Sequence, residues 1–87
     1  KNMNKSENAQ VSIYPNPFTQ SVTFDLSNVA TTDAQINIYN VVGTLVLKTS
    51  LTKQVNTVDA SQLPTGVYVY TIYSANNTIQ SGRLIAQ

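Results

Sequence analysis

Nine side chains of this 87-residue sequence carry charge: Lys1, Lys5, Lys48, Lys53 and Arg83 against Glu7, Asp25, Asp33 and Asp59. There is no His and no Cys. A Ser–His or Cys–His nucleophile system is therefore excluded, as is a zinc site of the usual ligands. Four scattered carboxylates leave little for general acid–base work. Asp25, Asp33 and Asp59 lack the clustered Asp-x-Asp spacing of a calcium loop, and read as turn caps or solvent-facing groups. Five Tyr and no Trp are present; exposed rings could stack on sugar faces, with Tyr14, Tyr39 and Tyr73 as the candidates. A formal net charge of +1 gives no field to hold nucleic acid or an anionic membrane. No catalytic residue, metal site or cofactor site emerges, and an enzyme is not expected.

Uncharged polar residues fill the space instead. Thr, Asn, Ser and Gln occupy 36 of the 87 positions, while only 10% are charged. Cytosolic domains typically carry about 25% charge, so the composition suits an exported or cell-surface β-domain. The apolar runs are far shorter than the roughly 20 residues of a membrane-spanning helix. Lys1 to Gln10 (KNMNKSENAQ) is polar and lacks the apolar stretch of a signal peptide. An export signal is thus expected upstream, with this chain part of something longer. Residues 1–10 read as a flexible linker or tether, and 11–87 as one domain. The sequons at Asn4 and Asn76 are expected by chance in so Asn- and Thr-rich a chain.

From Val11 onward, short β-type runs alternate with turn residues roughly every 8 to 12 positions. The runs are Val11–Tyr14, Ser21–Leu26, Ala34–Asn40, Thr44–Leu51, Val55–Asp59, Val67–Ser74 and Thr78–Ala86. Val22, Phe24 and Leu26 alternate with polar neighbours, the period of a half-buried strand. Gly43 is expected to supply a positive φ in a turn at Asn40–Gly43. Asn76 and Asn77 are expected to form the tight turn before the last strand, since Asn tolerates left-handed φ. Seven short strands predict an all-β fold, a seven-stranded Ig-like antiparallel β-sandwich, with a small closed barrel as the alternative.

Three patterns then stand in a telling order. Tyr14-Pro15-Asn16-Pro17-Phe18 ends the first run, Ile38-Tyr39-Asn40-Val41-Val42-Gly43 spans the third run and its turn, and Leu63-Pro64-Thr65-Gly66-Val67-Tyr68 opens the sixth. The series, over Val11 to Gln87, resembles the type A C-terminal sorting domain of the type IX (Por) secretion system of Bacteroidetes. The Tyr-Pro-Asn-Pro segment is its most specific element. The resemblance implies a non-catalytic signal at the end of a larger cargo protein. The cargo would cross the periplasm and be recognised by the outer-membrane translocon. A sortase-like peptidase would then cut the domain off, leaving the cargo at the cell surface or outside the cell. The polar tether at 1–10 is the accessible place for that cut. The family often ends in a basic, apolar pattern with a Lys close to the C-terminus; here Arg83-Leu84-Ile85 supplies a basic residue and an apolar pair, and no Lys follows.

Each motif also has a structural role to fill. Pro15 and Pro17 stop a strand and fix the crossing to the next, with translocon contact by Pro15-Asn16-Pro17 as the functional alternative. Gly43, Leu63, Gly66 and Tyr68 read as structural, Tyr68 returning its hydroxyl to preceding backbone as a tyrosine corner. Tyr70 and Ile72 share its inward face by period two. Arg83, Leu84 and Ile85 are the candidates for translocon recognition, through an edge strand gripped by strand addition. Period two also requires one of Leu84 and Ile85 to complete the core. The rival function is a secreted Ig-like adhesion or carbohydrate-binding module, and exposed edges leave a homodimer open.

Overall fold

The computed structural model describes residues 10–29, 33–75 and 77–87. Among them lie seven strands and no helix: β1 (Ser12–Tyr14), β2 (Ser21–Asp25), β3 (Ala34–Tyr39), β4 (Leu45–Leu51), β5 (Val55–Asp59), β6 (Gly66–Ser74) and β7 (Asn77–Ala86). Every expected run is a strand, its ends displaced by at most one residue. The strands form two antiparallel sheets, ordered β1-β2-β5 and β4-β3-β6-β7. β4 and β5 do not pair with each other, so no barrel closes.

Alternation decides which face of each strand is buried. Val22 and Phe24 of β2, Ala34, Ile36 and Ile38 of β3, and Tyr68, Tyr70 and Ile72 of β6 point into one shared cluster. Leu84 and Ala86 of β7 complete it, together with Phe18 from the loop after β1. Burying each large side chain of this kind contributes about 1.5–3 kcal/mol. Truncating one, such as Phe24→Ala, costs about 3–5 kcal/mol because a cavity remains. On the outer face of the three-stranded sheet, Thr23 and Thr57 stand opposite each other and their hydroxyls pair at 3.1 Å.

The turns are held by side chains that the backbone leaves partnerless without them. Asn40 Oδ1 accepts the N–H groups of Val42 (3.1 Å) and Thr44 (2.9 Å), while Gly43 at φ +89° closes the β3–β4 turn. Nearly buried Asn56 donates to the Lys53 carbonyl (2.7 Å) and accepts the Lys53 N–H (3.1 Å), fixing the β4–β5 turn. Asp25 and Asp59 cap turns as expected, accepting the N–H of Ser27 (2.8 Å) and Ser61 (3.0 Å). The Tyr68 hydroxyl donates to the Pro64 carbonyl, completing the tyrosine corner. Ser74 pairs with Asn77, and Ala75 between them is left-handed, at φ +54°. Asn77 is already the first residue of the strand, and Asn76 lies outside the described residues.

Candidate functional site

Strand β7 is an edge of its sheet, as strand addition requires, but its last residues are already paired. After β1 the chain leaves the three-stranded sheet, passes the cis peptides Tyr14–Pro15 and Asn16–Pro17, and lies along the end of β7. Phe18 donates its N–H to the Ile85 carbonyl (2.8 Å) and accepts the N–H of Gln87 (2.8 Å), a parallel bridge centred on Ala86. One step earlier, a side chain continues the same ladder. Asn16 Oδ1 accepts the Ile85 N–H and Asn16 Nδ2 donates to the Arg83 carbonyl, both at 3.0 Å. A carboxamide offers one acceptor and a donor in the same plane, so it imitates the peptide unit that a neighbouring strand presents.

A second carboxamide works in the opposite direction. Gln80 of β7 accepts the N–H of Val11 (2.9 Å) and donates to the Val11 carbonyl (3.0 Å), with a further bond to the Tyr70 hydroxyl (3.0 Å). Residues 11–18 and 80–87 thus form a seam that joins the two sheets along one side. The opposite side, between β4 and β5, remains open as a groove of about 690 Å³.

The seam brings together the two candidate recognition motifs, 67 to 69 residues apart in sequence. Pro15, Asn16, Pro17, Arg83 and Ile85 are exposed on it. Leu84 is not: its side chain is 0% accessible and belongs to the core, so period two resolves the Leu84–Ile85 pair in favour of Ile85 outside. The expected open edge at Arg83–Ile85 is likewise occupied, because Asn16 and Phe18 hold its outward backbone groups.

Gly43 and Tyr68 take the structural positions expected of them; Gly66 opens β6, and half-buried Leu63 packs against the core. Two residues of the site were missed in the sequence: Gln80, and Gly82, whose place opposite Tyr70 leaves no room for a side chain. Their neighbours lie across a strand pair, out of reach of local spacing. The sugar-stacking candidates are reduced. Tyr39 and Tyr73 are half-buried with hydroxyls bonded to Asn37 (3.1 Å) and Gln35 (2.8 Å), leaving Tyr14 as the exposed ring. Among the described residues no group of three potential metal ligands assembles.

The electrostatics are quiet. The Ser27 hydroxyl, followed by its N–H, holds the Asp25 carboxyl below the usual aspartate range. The Ser61 N–H, followed by its hydroxyl, does the same for Asp59. Both are hydrogen bonds to the charged form, which favour it.

The family model for the secretion system C-terminal sorting domain matches residues 12–87. The chain belongs to that family. No curated protein matches it. As a type IX sorting domain, it belongs to a class of non-catalytic export signals carried by larger chains. Membership implies recognition by the type IX system and export to the surface or the extracellular space.

Proposed function

We propose that this sorting domain delivers an N-terminal cargo in the same chain to the type IX translocon, through a surface assembled at the seam. Pro15, Asn16, Pro17, Arg83 and Ile85 form that surface, with Leu84 holding it from beneath. The supporting observation is the Asn16 clamp, which fastens the Tyr-Pro-Asn-Pro motif to the terminal strand by two bonds of 3.0 Å. Neither motif alone forms the surface; folding does. The strand order β1-β2-β5 and β4-β3-β6-β7 suits an Ig-like sandwich, a compact body that keeps its seam presented while the cargo is carried. After passage through the periplasm, a sortase-like peptidase cuts within residues 1–10, nine of which lie outside the described residues.

The test attaches residues 1–87 behind a signal peptide and a fluorescent reporter in a bacterium possessing the type IX system. Mass spectrometry of exported reporter should show a new C-terminus within residues 1–10. Arg83→Glu should hold the reporter in the periplasm with the domain still folded. Export of that variant at the parent level removes the seam from the reading. Intact 1–87 on all exported reporter removes the cut. Shortening the chain to Gly82 is a poor test, since it deletes Leu84 and Ala86 from the core along with the candidate contacts.

A further inference from the structure

The outer face of the four-stranded sheet is unusually apolar at one end. Seven of the nine exposed large apolar side chains among the described residues lie there, at the β3–β4 turn or on the strand ends beside it. One cross-strand row runs from Arg83 of β7 through Val69 of β6 and Tyr39 of β3 to Leu45 of β4, and the Ile85–Val67 pair lies two residues along from it. A register shift at Ile38/Tyr39 brings Leu45 to that position. With strands about 4.8 Å apart, the row is about 14 Å long. Val41 and Val42 extend it at the turn, 76% and 79% accessible. Water-facing Val at such exposure contributes nothing to the core, and clustered apolar exposure of this kind marks an interaction surface.

Charge narrows the occupant. The strands β3, β4, β6 and β7 contain two charged residues, Lys48 and Arg83, both cationic. Arg83 stands opposite Val69, within the patch. Asp25 and Asp59 lie on the other sheet. A second copy placed face to face would bring no carboxylate from these strands to Arg83. An anionic lipid surface typically requires clusters of four to eight Lys or Arg, more than this face carries. We infer that this face docks a protein surface that is apolar with a carboxylate at its border, carried by the receptor component of the export machinery. The inference rests on the sorting reading and adds to it: Ile85 and Arg83 are one end of a docking face that continues over Val67, Val69 and the Val41–Val42 turn.

The test uses the reporter fusion with Val67→Thr, Val69→Thr and Ile85→Thr combined, which keeps β-branched side chains while removing apolar surface. A second variant, Val41→Ser with Val42→Ser, alters side chains that are 76% and 79% accessible and so protects the test from misfolding. Both should reduce exported reporter at least tenfold, with the domain folded and retained in the periplasm. Thr57→Lys, on the outer face of the other sheet, should leave export unchanged. Parent-level export of the Val41/Val42 variant overturns the inference while leaving the sorting function standing. A parent fusion that is never exported sinks the sorting reading itself. Two further results also overturn it. One is patch-dependent sedimentation with phosphatidylglycerol vesicles, which reassigns the face to lipid. The other is a patch-dependent dimer in sedimentation velocity, which reassigns it to a second copy.

Discussion

Asn16 and Ile85 are joined as two residues of adjacent strands are, except that one partner is a side chain: the Ile85 N–H is accepted by Asn16 Oδ1 at 3.0 Å. With Asn16 Nδ2 on the Arg83 carbonyl, the carboxamide covers the Arg83–Ile85 step of the β7 edge, next to the groups that Phe18 holds. Edges left open invite pairing with other chains, so the clamp also shields this end of the terminal strand. Asn16→Asp should weaken it selectively. A carboxylate still accepts from Ile85 but turns lone pairs toward the Arg83 carbonyl. The expected loss is about 1–2 kcal/mol, read as a lower urea midpoint. Amide exchange should accelerate at Ile85 and Gln87 before the β3 core. Unchanged stability and protection would show the clamp to be ornamental.

Gly82 faces Tyr70 so closely that a Cβ there would lie 2.9 Å from the Tyr70 hydroxyl and 3.0 Å from its ring. The ring is held at its tip by Gln80, which itself grips Val11, so it has little freedom to move aside. Gly82→Ala should therefore cost about 1–3 kcal/mol, the usual range for overpacking. The double variant Gly82→Ala with Tyr70→Leu should recover part of that loss in denaturant melts. Full additivity of the two changes would contradict the contact.

Ala75 carries a strained backbone at φ +54°, where an L-residue with a Cβ is disfavoured by roughly 1–2 kcal/mol. Ala75→Gly should remove that cost, offset by the extra freedom of Gly in the unfolded chain. A net gain of about 0.5–1 kcal/mol is expected in thermal or urea melts. A loss of stability would mean that the turn does not need this conformation.

Acid should be the direction of pH sensitivity. Asp25 and Asp59 have lowered folded-state values, so their contribution is present above the ordinary aspartate range and is lost as pH falls through the lowered values. With no His in the chain, no side chain of ordinary pKa titrates between about pH 5 and 8. The urea midpoint should be level across that interval and fall below about pH 4. Asp25→Asn with Asp59→Asn should make the acid decline shallower. A steep change near pH 6 would contradict this assignment.

Strand positions were most legible where one face of the strand is polar. Val22/Phe24 and Ile36/Ile38 show a period of two that packing between sheets imposes directly. The tyrosine corner was legible because Tyr68 and Pro64 are four residues apart. The seam was not. Asn16 in a Pro-rich turn looks the same whether its amide faces water or a strand 69 positions later. Period two placed one of Leu84 and Ile85 inside, yet which one depends on the pairing of Leu84 with Tyr68, a register set by the whole β6–β7 ladder. The left-handed residue was expected among the Asn pair because of their intrinsic tolerance. Of that pair, Asn77 is already paired with Ser74 as the first residue of β7, Asn76 lies outside the described residues, and a positive φ is found at Ala75.

The most direct test of the central claim is the ratio of reporter outside the cells between a strain with an intact type IX translocon and one lacking it, both carrying the signal peptide–reporter–1–87 fusion. A sorting domain predicts at least a tenfold excess outside in the intact strain, with the deficient strain holding folded fusion in its periplasm. Equal amounts outside in both strains, or periplasmic retention in both with the domain folded, would contradict it.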